Sequence, residues 1–230
     1  MKFKEQLLQG TLIKRYKRFF ADIKYKNNTI TTHCPNTGSM HGLLTEGNKV
    51  FFSRSDNPKR KLKYTLEIIK DVKSLVGINT LLTNKIVLEA LEKKWIKELT
   101  KFPKIKSEVK FNDQTRFDFL VSNTSEKCFL EVKNVTLNRN KYIAEFPDAP
   151  TSRGLKHLNE LCIAKKNGYK SYVLFLIQRT DCSSFKIASD IDNEYLSGFK
   201  KALKFGVKMI CYDCKLSNEE IKLNKQIKII

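Results

Sequence analysis

The apolar periodicity of this chain changes once, near Asn79, and that change bounds the folds open to it. Before it, apolar residues come in runs of strand length at residues 11–23, 29–33, 49–54 and 64–72. Turn signals separate them at Asn27-Asn28, Asn36 to Gly42, Glu46-Gly47-Asn48 and Asp56-Asn57-Pro58. Short strands at that spacing predict a small β-barrel over residues 1–78. After it, Leu82, Ile86, Leu91, Trp95 and Leu99 recur at helical spacing, with Asn79 or Thr80 as N-cap of a helix over 80–99. Three strand-like runs follow (105–111, 116–121 and 128–137). Then come a helix over 152–167 stopped by Gly168, a strand over 171–177, a helix over 193–205 stopped by Gly206, and a strand over 207–212. That order predicts a mixed α/β domain over residues 79–230, and 230 residues suffice for two such units.

Charge bears on partners rather than fold. Lys and Arg number 44 against 24 Asp and Glu, a net of +20, which makes a polyanion the first partner to consider. Residues 1–75 hold 16 of the cations and 6 of the acids, so a third of the chain carries half the surplus. The longest apolar run, residues 172–177, is far short of the ~18 residues a membrane span needs. The basic N-terminus precedes no apolar leader, and a cytoplasmic location without a membrane partner is expected. Six cysteines without framework spacing read as buried thiols; Cys211 and Cys214 form a lone C-x-x-C, either a metal or redox pair or simply two positions of one strand.

The most informative local feature is a pair of acids. If Asn123 to Glu126 closes a hairpin with Ser122 opposite Lys127, Leu120 meets Phe129 and Asp118 meets Glu131, on one face and with Cβ atoms about 5 Å apart. Lys133 shares the face of Glu131. Two roles fit such a cluster: a Mg²⁺ or Mn²⁺ site, or a buried salt bridge in which Lys133 neutralises the acids. A one-residue slip would move Asp118 to the other face. Glu108 joins the pair if Asn112 to Gln114 is a three-residue loop.

Other candidates are basic. On an unbroken strand, Arg15, Lys17 and Phe19 share one face and Tyr16, Arg18 and Phe20 the other, a mixture that suits either a nucleic-acid groove or a barrel core with a solvated rim. Lys59, Arg60, Lys61 and Lys63 form the densest basic cluster and are expected to meet phosphates. Asn36-Thr37-Gly38-Ser39 is an ordinary polar turn or an anion cradle. Arg153, Lys156 and His157 would line a phosphate-facing helix edge or a solvated face. His33 and His41 lack partners at metal-ligand spacing.

The meander Arg116-Phe117-Asp118-Phe119 followed by Phe129-Leu130-Glu131-Val132-Lys133-Asn134 resembles the core of the PD-(D/E)xK nuclease superfamily. With Arg15 to Phe19, His33 to Met40, Asn57 to Lys61, Glu131 to Thr136, Phe146 to Ala149 and Arg153 to Leu158, the chain resembles the sugar fermentation stimulation protein A family over nearly its whole length. That resemblance implies an OB-like N-terminal barrel, a nuclease-like C-terminal domain and DNA binding, single or double strand unassigned. It implies Asp118 and Glu131 as metal ligands, Lys133 as the catalytic lysine, Gln178 as a polar site residue and Glu89 as a supporting acid; Glu108 stays a further metal candidate on the register argument alone. Pro150 departs from the β-branched residue expected there. The two functions to be weighed are a Mg²⁺- or Mn²⁺-dependent DNA phosphodiesterase and a non-catalytic DNA-binding regulator of sugar-metabolism genes that keeps the scaffold. A sugar-metabolising enzyme finds no Gly-rich phosphate loop or nucleophile elbow in its support. Self-association into a homodimer is left open.

Overall fold

Five strands close the N-terminal barrel and a sixth extends its sheet in the computed structural model, which describes every residue except Lys73. They are β1 (Leu8–Tyr16), β2 (Phe20–Tyr25), β3 (Asn28–His33), β4 (Lys49–Arg54), β5 (Tyr64–Lys70) and β6 (Leu75–Gly77), in the order β3-β2-β1-β4-β5-β6. Pairing of His33 with Thr65 brings β3 onto β5 and closes the barrel. Its core is Leu12, Ile23, Val50, Phe52, Leu66, Ile69 and their neighbours, from alternate positions such as Val50 and Phe52 except across the register shift in β5.

The single strand expected over 11–23 is in fact the hairpin β1–β2. Lys17 and Arg18 both take positive φ (46° and 61°) in the three-residue turn between the paired Tyr16 and Phe20. Neither is Gly or Asn, so the turn carries no compositional signal. The two faces expected of residues 15–20 therefore do not exist: Lys17 and Arg18 are an exposed tip, and Tyr16 stacks on Phe20 across it.

The C-terminal domain is a six-stranded sheet ordered β15-β14-β12-β9-β8-β7. Its meander comprises β7 (Lys104–Asn112), β8 (Thr115–Ser122) and β9 (Lys127–Val135); parallel strands β12 (Lys170–Ile177) and β14 (Lys208–Leu216) extend it, and β15 (Ile221–Gln226) pairs antiparallel at its edge. One face packs on α1 (Thr83–Glu92), the other on α2 (Ser152–Lys166) and α3 (Asn193–Lys204). A second sheet, in the order β10-β11-β13-β16, joins β10 (Leu137–Asn140), β11 (Ile143–Phe146), β13 (Ser184–Ile187) and β16 (Lys228–Ile229). The helix expected over 80–99 is shorter. Asn79 caps a 3₁₀ turn at Thr80–Leu82, α1 follows, and Lys94 at φ 56° ends the run. Gly168 and Gly206 stop α2 and α3 at φ 86° and 84°. Thr151 caps α2 directly after Pro150, accepting from the Gly154 amide.

Residues 1–7 leave the barrel and lie along the other domain, where Phe3 N–H donates to Glu219 O and Leu7 N–H to Asn218 O. The reverse contact runs through β6: Val76 bridges to Arg179, and Gly77 N–H donates to Gln178 O at 2.9 Å. Arg179, almost wholly buried, reaches Asp71 of the barrel and Asp181 of its own domain. Cys211 and Cys214 sit three apart on β14, on opposite faces and in different cores, so they cannot share one ligand. All six thiols are free and buried. Among the described residues no helix is long and apolar enough to cross a membrane.

Candidate metal and catalytic site

The β8–β9 hairpin fixes the position of both acids. Asn123 Oδ1 accepts from the backbone amides of Ser125 and Glu126 (2.9 and 2.8 Å), which sets the loop and hence the register. Ser122 pairs with Lys127, Leu120 with Phe129 and Phe119 with Leu130, the register expected from the sequence. One step beyond, the ladder opens. Phe119 and Val121 enter the core under α1 while Phe117 enters the core under α2, so β8 changes its inward face across Asp118. On β7, Glu108 lies at the position opposite Asp118, with φ 53° and an exposed side chain.

Asp118 fills the opening. Its Oδ2 accepts the Val132 N–H at 2.7 Å and its Oδ1 accepts from Asn84 Nδ2 of α1 at 2.8 Å. Asn84 Nδ2 also stands 3.5 Å from Glu108 Oε1, which joins the third acid loosely to the pair. Burial, then the negative charge of Glu131, push Asp118 up to about 6; the two donors and Lys133 offset part of that. Glu131 is 3% exposed. Its Oε1 accepts from Lys133 Nζ at 2.8 Å and contacts His157 Nδ1, while its Oε2 has no partner among the described residues. Burial alone would raise Glu131, but the Lys133 ammonium and His157 outweigh it and hold its carboxyl below the ordinary range. A proton therefore goes to Asp118 before Glu131.

His157 belongs to this cluster rather than to a phosphate-facing helix edge. It is buried against Glu131, with its ring edge-on to Phe117, because position 157 falls on the face of α2 that packs on the sheet. Lys156 donates to the Gln114 carbonyl at 3.0 Å, and Arg153 is exposed. Gln178, fully buried, does not touch the acids. Its Nε2 donates to Asn134 Oδ1 (2.6 Å) and Thr83 Oγ1 (3.2 Å), and the residue before Asn84 is thereby tied to the strand that carries Lys133. Gly77 makes room for it, since a Cβ there would come within 2.4 Å of Gln178 Oε1.

Glu89 is not a supporting acid of this site. Five residues along an α-helix turn the side chain about 140° from Asn84, and Glu89 instead pairs with the Met1 ammonium and Lys93. The anion cradle also fails. Gly38 lies against Asp148, whose Oδ2 would be 2.2 Å from a Cβ at that position, so a carboxylate already occupies the approach. Arg15 is spent on structure, donating to the carbonyls of Arg18 (3.0 Å) and Asn36 (2.7 Å). Lys59, Lys61 and Lys63 remain exposed, and Arg60 donates to Thr65 Oγ1 at 2.9 Å. Asn84, Thr83 and Asn134 escaped the sequence reading because nothing local marks them; only the docking of α1 brings them to the acids. Tyr195 escaped it too: its buried hydroxyl has no partner among the described residues, and burial followed by Glu131 pushes it up.

Comparison with known proteins covers both domains. A family model described as the SfsA N-terminal OB domain matches residues 13–78, and one described as the sugar fermentation stimulation protein RE domain matches residues 81–220. A sugar fermentation stimulation protein homolog of Pelagibacter ubique is 56% identical over 230 residues, covering 100% of this chain and 99% of that protein. One from Caulobacter vibrioides is 40% identical over 225 residues, covering 97% and 94%. The structure of Pyrococcus furiosus SfsA in complex with Ca²⁺ has the same fold, with a TM-score of 0.90, 24% identity and coverage of 100% and 98%.

Proposed function

This chain belongs to the sugar fermentation stimulation protein family, and from that premise we propose that it binds DNA and hydrolyses phosphodiesters at a divalent-metal site on Asp118 and Glu131. The observation that carries the reading is the buried, unpartnered Glu131 Oε2 beside a second carboxylate whose pKa its charge helps to raise. Two carboxylates held together at a cost are relieved by a cation, and an all-oxygen donor pair suits a hard ion such as Mg²⁺ or Mn²⁺. The P. furiosus relative, described in complex with Ca²⁺, points to the same class of ion. Such an ion supplies Lewis-acid polarisation of a phosphoryl oxygen and an acidified water.

The chain supplies the rest. Asn84 and the Val132 amide orient Asp118; His157 and Lys133 orient Glu131 and keep it ionised at neutral pH. Lys133, once a substrate phosphate competes with Glu131 for its ammonium, stabilises developing negative charge. Glu108, exposed at the mouth, is an outer oxygen donor. Lys59, Lys61, Lys63 and Arg153 meet the backbone of the nucleic acid. A cytoplasmic location follows from this substrate.

One observation favours the second reading, a DNA-binding regulator without turnover: Lys133 already neutralises Glu131 within the chain. Mn²⁺ titration and DNA cleavage decide between them. The first reading expects Mn²⁺ binding lost in Glu131→Gln and cleavage lost in Lys133→Ala, both variants remaining folded. Salt-sensitive DNA binding without products, unchanged in Asp118→Ala, overturns it in favour of the regulator.

A further inference from the structure

Away from the carboxylate pair, a cleft of about 540 Å³ opens between the barrel, the first six residues and the start of α1. Its size falls in the range of small-ligand sites, roughly 300–1,000 Å³. Three kinds of group line it. Tyr25 and Tyr64 stand edge-on to Phe52, with ring centroids 5.2 and 5.5 Å away and interplanar angles of 85° to it, so both rings are held rigidly. Lys26, Arg54 and Lys85 supply positive charge, and none has an ion-pair partner among the described residues. Glu5 and Asp56 also line the cleft, both exposed and Asp56 paired with Lys4, whereas Glu67 is an acid only 5% exposed.

Glu67 sits where the β4–β5 register shifts, between Leu66 in the barrel core and Ile68 in the core under α1. Ser53 Oγ donates to its Oε1 and Asn79 Nδ2 to its Oε2, both at 2.6 Å. Each oxygen keeps a further acceptor position. The carboxylate is thus fixed in orientation by neutral groups and not consumed by a cation. A carboxylate that shares its cleft with Tyr25, Tyr64 and cations without an acidic partner, Lys26 lying over the Tyr25 ring at 5.5 Å, matches a nucleotide whose base offers two adjacent donors. Guanine does so through N1–H and N2–H; adenine, cytosine and uracil offer at most one donor beside an acceptor on that edge.

We propose that this cleft is a guanine-nucleotide site, in which Glu67 reads the base edge, Tyr25 or Tyr64 stacks on the ring, and Lys26, Arg54 and Lys85 meet the phosphate. The same chemistry is presented by a free guanine nucleotide and by a guanine of a single strand. Stacking on an aromatic side chain is available to either.

The test is calorimetric titration of the full chain with GMP, AMP, CMP and UMP. GMP is expected to bind on the order of 10- to 100-fold tighter than the others, the discrimination of one bidentate contact. Glu67→Gln, which turns one acceptor into a donor, brings the four to within about threefold of one another. If that variant fails to fold, Lys85→Ala at an exposed position serves: it weakens all four by roughly two- to fivefold and keeps the preference. A pentathymidylate carrying one terminal guanine separates the sources, since tighter binding than GMP assigns the strand, and equal or weaker binding assigns the free nucleotide. Equal affinities for the four nucleotides, no binding at millimolar concentration, or a preference surviving Glu67→Gln overturns the proposal. Asp118→Asn leaves the guanine preference intact while disabling the carboxylate site, so failure here and failure of the phosphodiesterase reading are told apart.

Discussion

Removing the charge of Lys133 alone should cost this protein more than removing both charges of its pair. Lys133 is 12% exposed and Glu131 4% exposed at the side chain, so neither charge is well solvated when its partner is deleted. Breaking one side of such a pair typically costs about 3–5 kcal/mol, because it strands a buried charge. Lys133→Met keeps the aliphatic stem and leaves Glu131 with His157 alone; Glu131→Gln keeps the shape and leaves the ammonium without its carboxylate. Combined, the two leave neither partner of the pair stranded, Asp118 keeping its Asn84 and Val132 donors, and the double variant is expected within about 2 kcal/mol of the parent. The coupling energy of the cycle is then on the order of 3 kcal/mol or more. Urea denaturation in the presence of a chelator measures all four corners. Adding Mn²⁺ should stabilise the parent and Lys133→Met but neither variant lacking Glu131. Losses that simply add would refute the reasoning, since they would mean that Lys133 and Glu131 do not share a desolvated environment.

Three further outcomes are expected. In the chelated protein a ¹³C-carboxyl NMR titration should place Asp118 near 6 rather than 3.8; because a raised carboxyl holds its proton more tightly folded than unfolded, its contribution favours the fold below pH 3.8 and is lost as pH rises through about 6. A titration midpoint near 4 would refute the effects of burial and of Glu131 on this carboxyl. Gly38→Ala should destabilise by about 1–3 kcal/mol through its clash with Asp148, and adding Asp148→Ala should recover most of that loss in thermal melts. If Lys59, Lys61 and Lys63 grip a duplex, each change to Ala lowers the slope of log affinity against log salt by about 0.9, measured by fluorescence anisotropy.

Much of this molecule follows from local pattern. The strands at 28–33, 49–54 and 115–122 were legible because alternation marks a half-buried strand wherever it packs. The two helix stops at Gly168 and Gly206 were legible because only a left-handed residue ends a helix cheaply. The register of β8 on β9 from Ser122–Lys127 to Leu120–Phe129 was legible because a four-residue loop with an Asn at its head fixes a hairpin; that the ladder opens before Asp118 and Glu131 was not. The Lys17-Arg18 turn was not, since its positive φ values come from the demand of two paired strands rather than from the residues themselves. β6 was too short to show a period, and β13 and β16, edge pieces of a small sheet, depend on partners far along the chain.

The amino-acid sequence by itself determined two domains of different class, a basic surface, and two acids and a lysine gathered on one hairpin. Local spacing suffices for these because each depends on residues a few positions apart. Only the tertiary structure decided what surrounds the acids. It brought Asn84 and His157 to them from helices on opposite faces of the sheet, turned Glu89 away, and left one oxygen of Glu131 without a partner among the described residues. It also placed Glu67 at a bulge between two cores, where a buried acid lines a cleft rich in cations. Such groupings require chain segments tens of residues apart to meet, and the energy that joins them is the burial of apolar surface elsewhere, which leaves no mark at the residues it brings together.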